Sequence, residues 1–335
     1  MSQLQIRGWL AGELPPDLRD AYERAAARVK APNSENTKRA YVDAWRAWVK
    51  HCARAKHPPL PIHPDQLLTH LESLTNLAPN SVRLRLAALC ALDQEHALAL
   101  GEPWTSLRRH PAVQRWLKSW GRQNPTAPRK RARALKPREL ERVLELAAEP
   151  GHNQSRVAHA ARYARDKAML LIGINGALRI SELVALDLGD VFESAEGLQV
   201  LVRSSKTDQH GEGALLALHP QGRRGLCPLE AWRQWVRLRG SGAGALFLTI
   251  ERNGLLSGRL SEQAGMRVIT SRCAAAGLDG ATSHSMRATF GTQSKRKPLS
   301  DVMTHGRWRT PRVALGYQRQ GDLFETSPTR GLLDD

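Results

Sequence analysis

The stretch NPTAPRKRARALKPREL, Asn124 to Leu140, constrains this chain more than any other segment. Pro125, Pro128 and Pro137 interrupt regular hydrogen bonding, and six basic residues crowd into Arg129 to Arg138. Such a segment is a poor thread for a hydrophobic interior, because each buried cation would need a partner. It reads as a solvated linker over residues 125–137, and it divides the chain in two. The length fits that division: 335 residues are many for one core and comfortable for two domains.

Ahead of the linker the pattern is helical. In NTKRAYVDAWRAWVKHC, Tyr41, Trp45, Trp48 and Val49 share one stripe, and Thr37 is a candidate cap. HPDQLLTHLESL is a second amphipathic segment, with Pro64 suited to a first helical turn. APNSVRLRLAALCALDQEHALAL is a third, capped by Asn80 or Ser81, and PAVQRWLKSWGRQ is a fourth. The expectation is a helical bundle over residues 31–124, preceded by an arm or extra helix over residues 1–30.

Residues 138–335 form the second part, where KPRELERVLELAA restarts helical periodicity. RDKAMLLIGINGALRISELVALDLGDV reads as helix, glycine-centred turn, helix. LQVLVRSSK and GALLALH are β-rich runs separated by the polar loop TDQHGEG, a hairpin. LEAWRQWVRLRG, SEQAGMRVITSRCAAAG, SHSMRATFGTQ and VALGYQRQ return to helical spacing. The fold class expected is mainly α with a small antiparallel β-sheet.

Charge narrows the function. Lys+Arg number 50 against 32 Asp+Glu, a net +18, which points to a polyanion whose counterions are released on contact. No long apolar run or basic amphipathic anchor suggests a membrane. Cys52, Cys90, Cys227 and Cys273 are scattered without a C-x-x-C pair, so neither a disulfide framework nor a zinc site is indicated. The first residues lack the basic-then-apolar order of a secretory signal, and a reducing cytoplasm is the expected setting.

Chemistry enters through residues that look ordinary one at a time. Arg179 follows a glycine turn at a helix start, and Lys206 sits where a strand enters the hairpin loop. His284 and Arg287, in HSMR, share a helical face. Trp308 precedes Tyr317 by nine positions in HGRWRTPRVALGY. A surface arginine, a solvated lysine and a packed tryptophan are the everyday reading of each.

Their order is not everyday. GALRISELVALDLGDV, SSKTDQHGEG, HSMRATFGT and GRWRTPRVALGYQR together resemble the tyrosine recombinase (phage integrase) family. The family often has a second histidine where this chain has Trp308, and its Cre-like branch also uses tryptophan there. His305 has the wrong spacing to Tyr317 for that place. NTKRAYVDAWRAWVKHC and NSVRLRLAAL resemble the family's core-binding domain, so residues 138–335 would be the catalytic domain with a C-terminal tail. That tail carries Leu323, Phe324, Leu332 and Leu333; the resemblance implies docking on a neighbouring protomer, and a tail folded back in cis or left disordered is the alternative. SKRKPLSDVMTHGRW is shorter and more basic than the family's usual helix there, which leaves the setting of Trp308 open.

The resemblance implies a site-specific DNA recombinase that cuts and rejoins strands through a 3′-phosphotyrosine and a Holliday junction, without ATP. Tyr317 would be the nucleophile, conserving the bond energy as a covalent ester. Arg179 and Arg287 would offer forked donors to the phosphate in its transition state. His284 would help remove the phenolic proton, Lys206 would protonate the leaving 5′-oxygen, and Trp308 would donate its indole N–H. Glu182, one turn beyond Arg179, would orient the site. Lys38, Arg39, Asn80, Ser81, Arg83 and Arg85 are candidate DNA contacts. Arginines supply the positive charge, so neither metal nor organic cofactor is called for. The partners implied are duplex DNA with paired sites, a homotetramer on synapsed DNA from monomers free in solution, and an optional accessory factor. A type IB topoisomerase, a telomere resolvase or a non-catalytic DNA-binding protein would share much of this pattern. The target sequence, and the choice among integration, excision, resolution and inversion, are not written in the residues.

Overall fold

The stripe along the first helix decides how the N-terminal unit packs. In the computed structural model, which describes residues 35–124, 132–148, 155–203, 213–223, 225–318 and 329, the chain splits into two compact units, Met1–Lys130 and Arg131–Asp335. The first holds helices α1 (Glu35–Ala55), α2 (Pro64–Glu72), α3 (Pro79–Leu100) and α4 (Pro111–Gln123). Trp48 is fully buried, and its Nε1 donates to Pro59 O at 2.8 Å, so a large apolar side chain leaves no orphan donor. Around it close Leu67, Leu71, Leu86, Leu89 and Val113. His70 packs edge-on against Trp48 with centroids 5.2 Å apart, and burial, then His51 and Arg85, lower its pKa to about 4. It is a neutral core ring at pH 7.

Proline sets the starts of α2, α3 and α4. Pro64 and Pro79 stand in the first turns of α2 and α3, where φ is preset and no N–H is needed. Ala78 is therefore the cap residue of α3, and Asn80 and Ser81 lie inside the helix rather than capping it. Thr37 likewise stands inside α1.

The second unit contains α5 (Pro137–Ala148), α6 (Arg156–Asn175), α7 (Ile180–Ala185), β1 (Val191–Ser194), β2 (Gly197–Val202) and β3 (Ala214–Leu218). It continues with α8 (Pro228–Arg239), β4 (Leu248–Ile250), β5 (Leu256–Arg259), α9 (Glu262–Ala275), α10 (Ser285–Gln293), α11 (Leu299–Gly306) and α12 (Pro311–Gln318). Helix α6 is its axis: Ala164, Ala168, Met169, Leu170, Leu171 and Ile172 are all buried, as befits a helix covered on every side. Gly173 on α6 lets α10 approach, since a Cβ there would stand 2.2 Å from Met286 Sδ.

Strands β1, β2 and β3 form an antiparallel sheet, with Leu198 opposite Leu218 and Val202 opposite Ala214. The expected hairpin strands are present, while its loop, with Lys206, lies outside the described residues. A second, two-stranded sheet pairs β4 with β5, in a region the pattern had assigned to helices and connections. LTI and LSGR are too short to show a periodicity of their own, and backbone pairing alone defines them.

The linker also ends earlier than its composition suggests. Leu135 is only 2% exposed and sits in the core of the second unit, its N–H donating to Thr289 Oγ1 at 2.8 Å. Arg133 pairs with Glu139 at 2.6 Å. One apolar anchor and one ion pair dock residues that charge alone had marked as solvated.

Candidate active site

The site grows from the turn that ends α6. Ala177 adopts a left-handed φ of 46°, and Arg179 then occupies the cap position of α7. Glu182 reaches back to accept the Arg179 N–H at 2.9 Å, an N-terminal capping contact that also aims the carboxylate at the Arg179 guanidinium. Arg179 Nη1 donates to Glu182 Oε1 at 2.5 Å, and Arg307 Nη2 donates to Oε2 at 2.8 Å. Burial alone would push the Glu182 pKa up, but Arg307 and Arg179 outweigh it and hold the group below the usual carboxylate range. Glu182 is thus an ionised carboxylate, 5% exposed, shared by two arginines.

Arg287 comes from α10 and is 2% exposed. Its Nη1 donates to Ala177 O at 2.5 Å and its Nη2 to Gly306 O at 2.9 Å. Its guanidinium carbon lies 5.2 Å from the Trp308 ring centroid and 6.0 Å from that of Tyr317. Burial, then Arg179, lowers its pKa to about 10, which leaves it cationic at neutral pH. His284 caps the same helix, and partial burial of its ring followed by the charges of Arg287 and Arg179 lowers its pKa. A neutral imidazole suits a proton acceptor.

Tyr317 lies on α12, its ring stacked on Trp308 with centroids 4.9 Å apart and planes 14° from parallel. Two glycines make the slot. A Cβ on Gly291 would come within 2.5 Å of Tyr317 Cβ, and one on Gly306 within 2.8 Å of Trp308 Cε3. Trp308 is 5% exposed, and its buried Nε1 has no protein acceptor. The short, basic segment before it forms α11 and delivers Trp308 into this slot.

The structure therefore brings Arg179, Glu182, His284, Arg287, Trp308 and Tyr317 into one neighbourhood. His305 is engaged elsewhere: Nε2 donates to Asn175 O at 2.7 Å, and the ring stacks on Phe290 at 4.9 Å. Arg307 is the residue that sequence reading missed. Nothing distinguishes one arginine among 50 Lys+Arg until its backbone φ of 53° and its burial are seen. Among the described residues, no group of His, Cys, Asp and Glu is placed to hold a metal.

The candidate DNA contacts lie in the first unit. Arg39 is exposed on α1; the side chain of Lys38 lies outside the described residues. Asn80, Ser81 and Arg83 are exposed at the start of α3, Arg85 is half-buried, and Arg83 Nη1 reaches Asn80 Oδ1 at 3.4 Å.

Comparison with known proteins resolves the class. The profile of the phage integrase family matches residues 133–318, which span every described element of this site. The chain belongs to the phage integrase family. An integrase/recombinase xerD homolog of Selenomonas ruminantium is 25% identical over 312 residues, 90% of this chain and 86% of the relative. Tyrosine recombinase XerC of Pseudomonas putida is 33% identical over 155 residues, 45% of this chain and 43% of its own length. In fold, this integrase-family chain is similar to the XerH site-specific recombinase bound to palindromic difH substrate. The TM-score is 0.62 at 15% identity, covering 88% of this chain and 80% of that one.

Proposed function

We infer that this site-specific DNA recombinase cuts and rejoins duplex DNA through a 3′-phosphotyrosine at Tyr317. The observation that supports this reading best is the position of Tyr317. Its phenol-bearing ring lies against Trp308 and within 6.0 Å of the buried Arg287 cation, which is itself tied to the turn that carries Arg179. Arg179 and Arg287 bind the non-bridging oxygens, whose charge grows as the phosphorus becomes five-coordinate. His284 takes the Tyr317 proton, and Lys206 returns one to the departing 5′-oxygen. The unpartnered Nε1 of Trp308 donates to the phosphate. Because the phosphotyrosine ester keeps the energy of the broken bond, the second strand's 5′-hydroxyl can reverse the step without ATP.

The first unit grips the duplex through Lys38, Arg39, Asn80, Ser81, Arg83 and Arg85. Monomers assemble as a tetramer on two paired sites and exchange strands through a Holliday junction, in a cytoplasm where the target is nucleoid, plasmid or phage DNA. Four phosphates must be cut in turn, and one chain supplies one Tyr317.

A nicked suicide substrate tests the mechanism. The 5′-hydroxyl fragment diffuses away, and the wild-type chain should remain covalently attached to DNA in denaturing gels. Tyr317→Phe should bind the same DNA and give no adduct. An adduct of normal yield in Tyr317→Phe removes Tyr317 as the nucleophile.

A further inference from the structure

We propose that Arg307 is a positioning residue for Arg179, acting through the Glu182 carboxylate that the two arginines share. The argument begins with hydrogen-bond capacity. A guanidinium has five N–H donors and no acceptor. Arg307 Nη1 donates to Gly176 O and His305 O, both at 3.1 Å. Its Nη2 donates to Ala177 O at 3.2 Å and Glu182 Oε2 at 2.8 Å. Only Nε–H is left, and it is buried without a partner. With the side chain 9% exposed, Arg307 is not built to grip DNA itself. It is a strut.

What the strut joins is informative. On one side stand the carbonyls of Gly176 and Ala177, the turn that leads into Arg179. On another stands the C-terminal end of α11, through His305 O. In the middle is Glu182, which receives both the backbone N–H and the Nη1 of Arg179. Ala177 O accepts from Arg307 and from Arg287 at once, so both arginines hold the same strained turn. Glu182 without Arg307 would be a buried carboxylate with one cation fewer, and it would relax toward its neutral form. A protonated Glu182 holds Arg179 by a weaker, less directional contact, and a phosphate-binding guanidinium that drifts by an ångström loses much of its effect.

The backbone adds a further reason. Arg307 has φ 53°, a left-handed conformation that glycine adopts without a Cβ clash. A side chain that needs its guanidinium occupies a place where the backbone alone favours glycine. That same fact supplies the variant: Arg307→Gly removes the strut while easing the turn.

The inference rests on the reading of Arg179 as a phosphate ligand, and the experiment separates the two. Single-turnover adduct formation on the suicide substrate is followed from pH 5 to 9, with DNA affinity measured alongside. Arg307→Gly should slow cleavage roughly 10- to 100-fold with DNA affinity nearly unchanged. Its acid limb should move to higher pH than the wild type's, because Glu182 takes up its proton sooner. Arg307→Lys, which keeps a cation near Glu182, should recover part of the rate and return the acid limb toward the wild-type position. On a Glu182→Gln background, Arg307→Gly should add little, since the group it acts through is gone. A merely structural arginine would instead lower the active fraction equally at every pH. Wild-type rate and pH profile in Arg307→Gly overturn the proposal, as do fully multiplicative effects with Glu182→Gln. Should the glycine variant not fold, Arg307→Gln gives the same pH comparison. An adduct that survives Tyr317→Phe would count against the mechanism; a normal adduct from Arg307→Gly, lost in Tyr317→Phe, would count against the strut alone.

Discussion

Arg179 and Arg287 are assigned to one phosphate, yet the protein holds them by different means. Arg179 has a side chain 20% exposed that, among the described residues, pairs with Glu182, and Glu182 keeps Arg307 if Arg179 is removed. Arg287 is 2% exposed and satisfies two buried carbonyls, Ala177 O and Gly306 O. Arg287→Ala leaves Gly306 O without this donor, leaves Ala177 O with Arg307 alone, and opens a cavity, at a cost of about 3 kcal/mol or more. Both alanine variants should lose on the order of 10²-fold or more in cleavage rate. Thermal melting separates them: Arg179→Ala should keep a near-native midpoint, and Arg287→Ala should fall by several degrees. Equal midpoints would mean that Gly306 O finds another donor. The order of motifs named these arginines as candidates, whereas the structural duty of Arg287 could not be read there. That duty depends on carbonyls of Ala177 and Gly306, which no motif marks.

At the scale of elements, the site depends on how closely α12 lies on α10. Gly291 is the reason the two can touch, because the nearest atom to its absent Cβ is Tyr317 Cβ at 2.5 Å. Backbone-borne atoms cannot rotate aside, so Gly291→Ala must push α12 outward, an overpacking cost of about 1–3 kcal/mol. The adduct should fall steeply in Gly291→Ala while DNA affinity holds. Gly316→Ala, where a Cβ meets nothing within 4 Å, is the matched control and should cleave normally. Failure of both variants alike would point to general helix disruption. Helix identity itself was largely legible, since Trp48 and Val49 on α1 are buried where helical spacing put them. Helix starts and short strands were not. Pro79 displaced the start of α3 past the capping role given to Asn80 or Ser81, and β4 and β5 exist only through their mutual pairing.

At the scale of the whole molecule, a net charge of +18 makes DNA affinity an ionic-strength measurement. Each phosphate neutralised releases counterions, so raising salt from about 50 to 200 mM should weaken binding on the order of 10³-fold or more. Substituting an exposed contact such as Arg83 by alanine should flatten that slope by about one. Loss of site preference with an unchanged slope would make Arg83 a base reader instead. Among the described residues no helix is long and apolar enough to cross a membrane.

The linear sequence by itself determined the division into two parts and the mainly helical class, and it named the residue types of the candidate site. Each of these is local: proline and charge forbid burial, periodicity marks a face, and motif order survives in one dimension. Tertiary structure decided the rest. It turned Leu135 from a linker residue into a core anchor and set His305 on the carbonyl of Asn175. It also made Arg307 a strut between a turn, a helix end and a carboxylate. A buried cation is defined by the acceptors that surround it, and those come from positions far apart in the chain. Only folding brings Gly176, Glu182 and His305 within reach of one guanidinium.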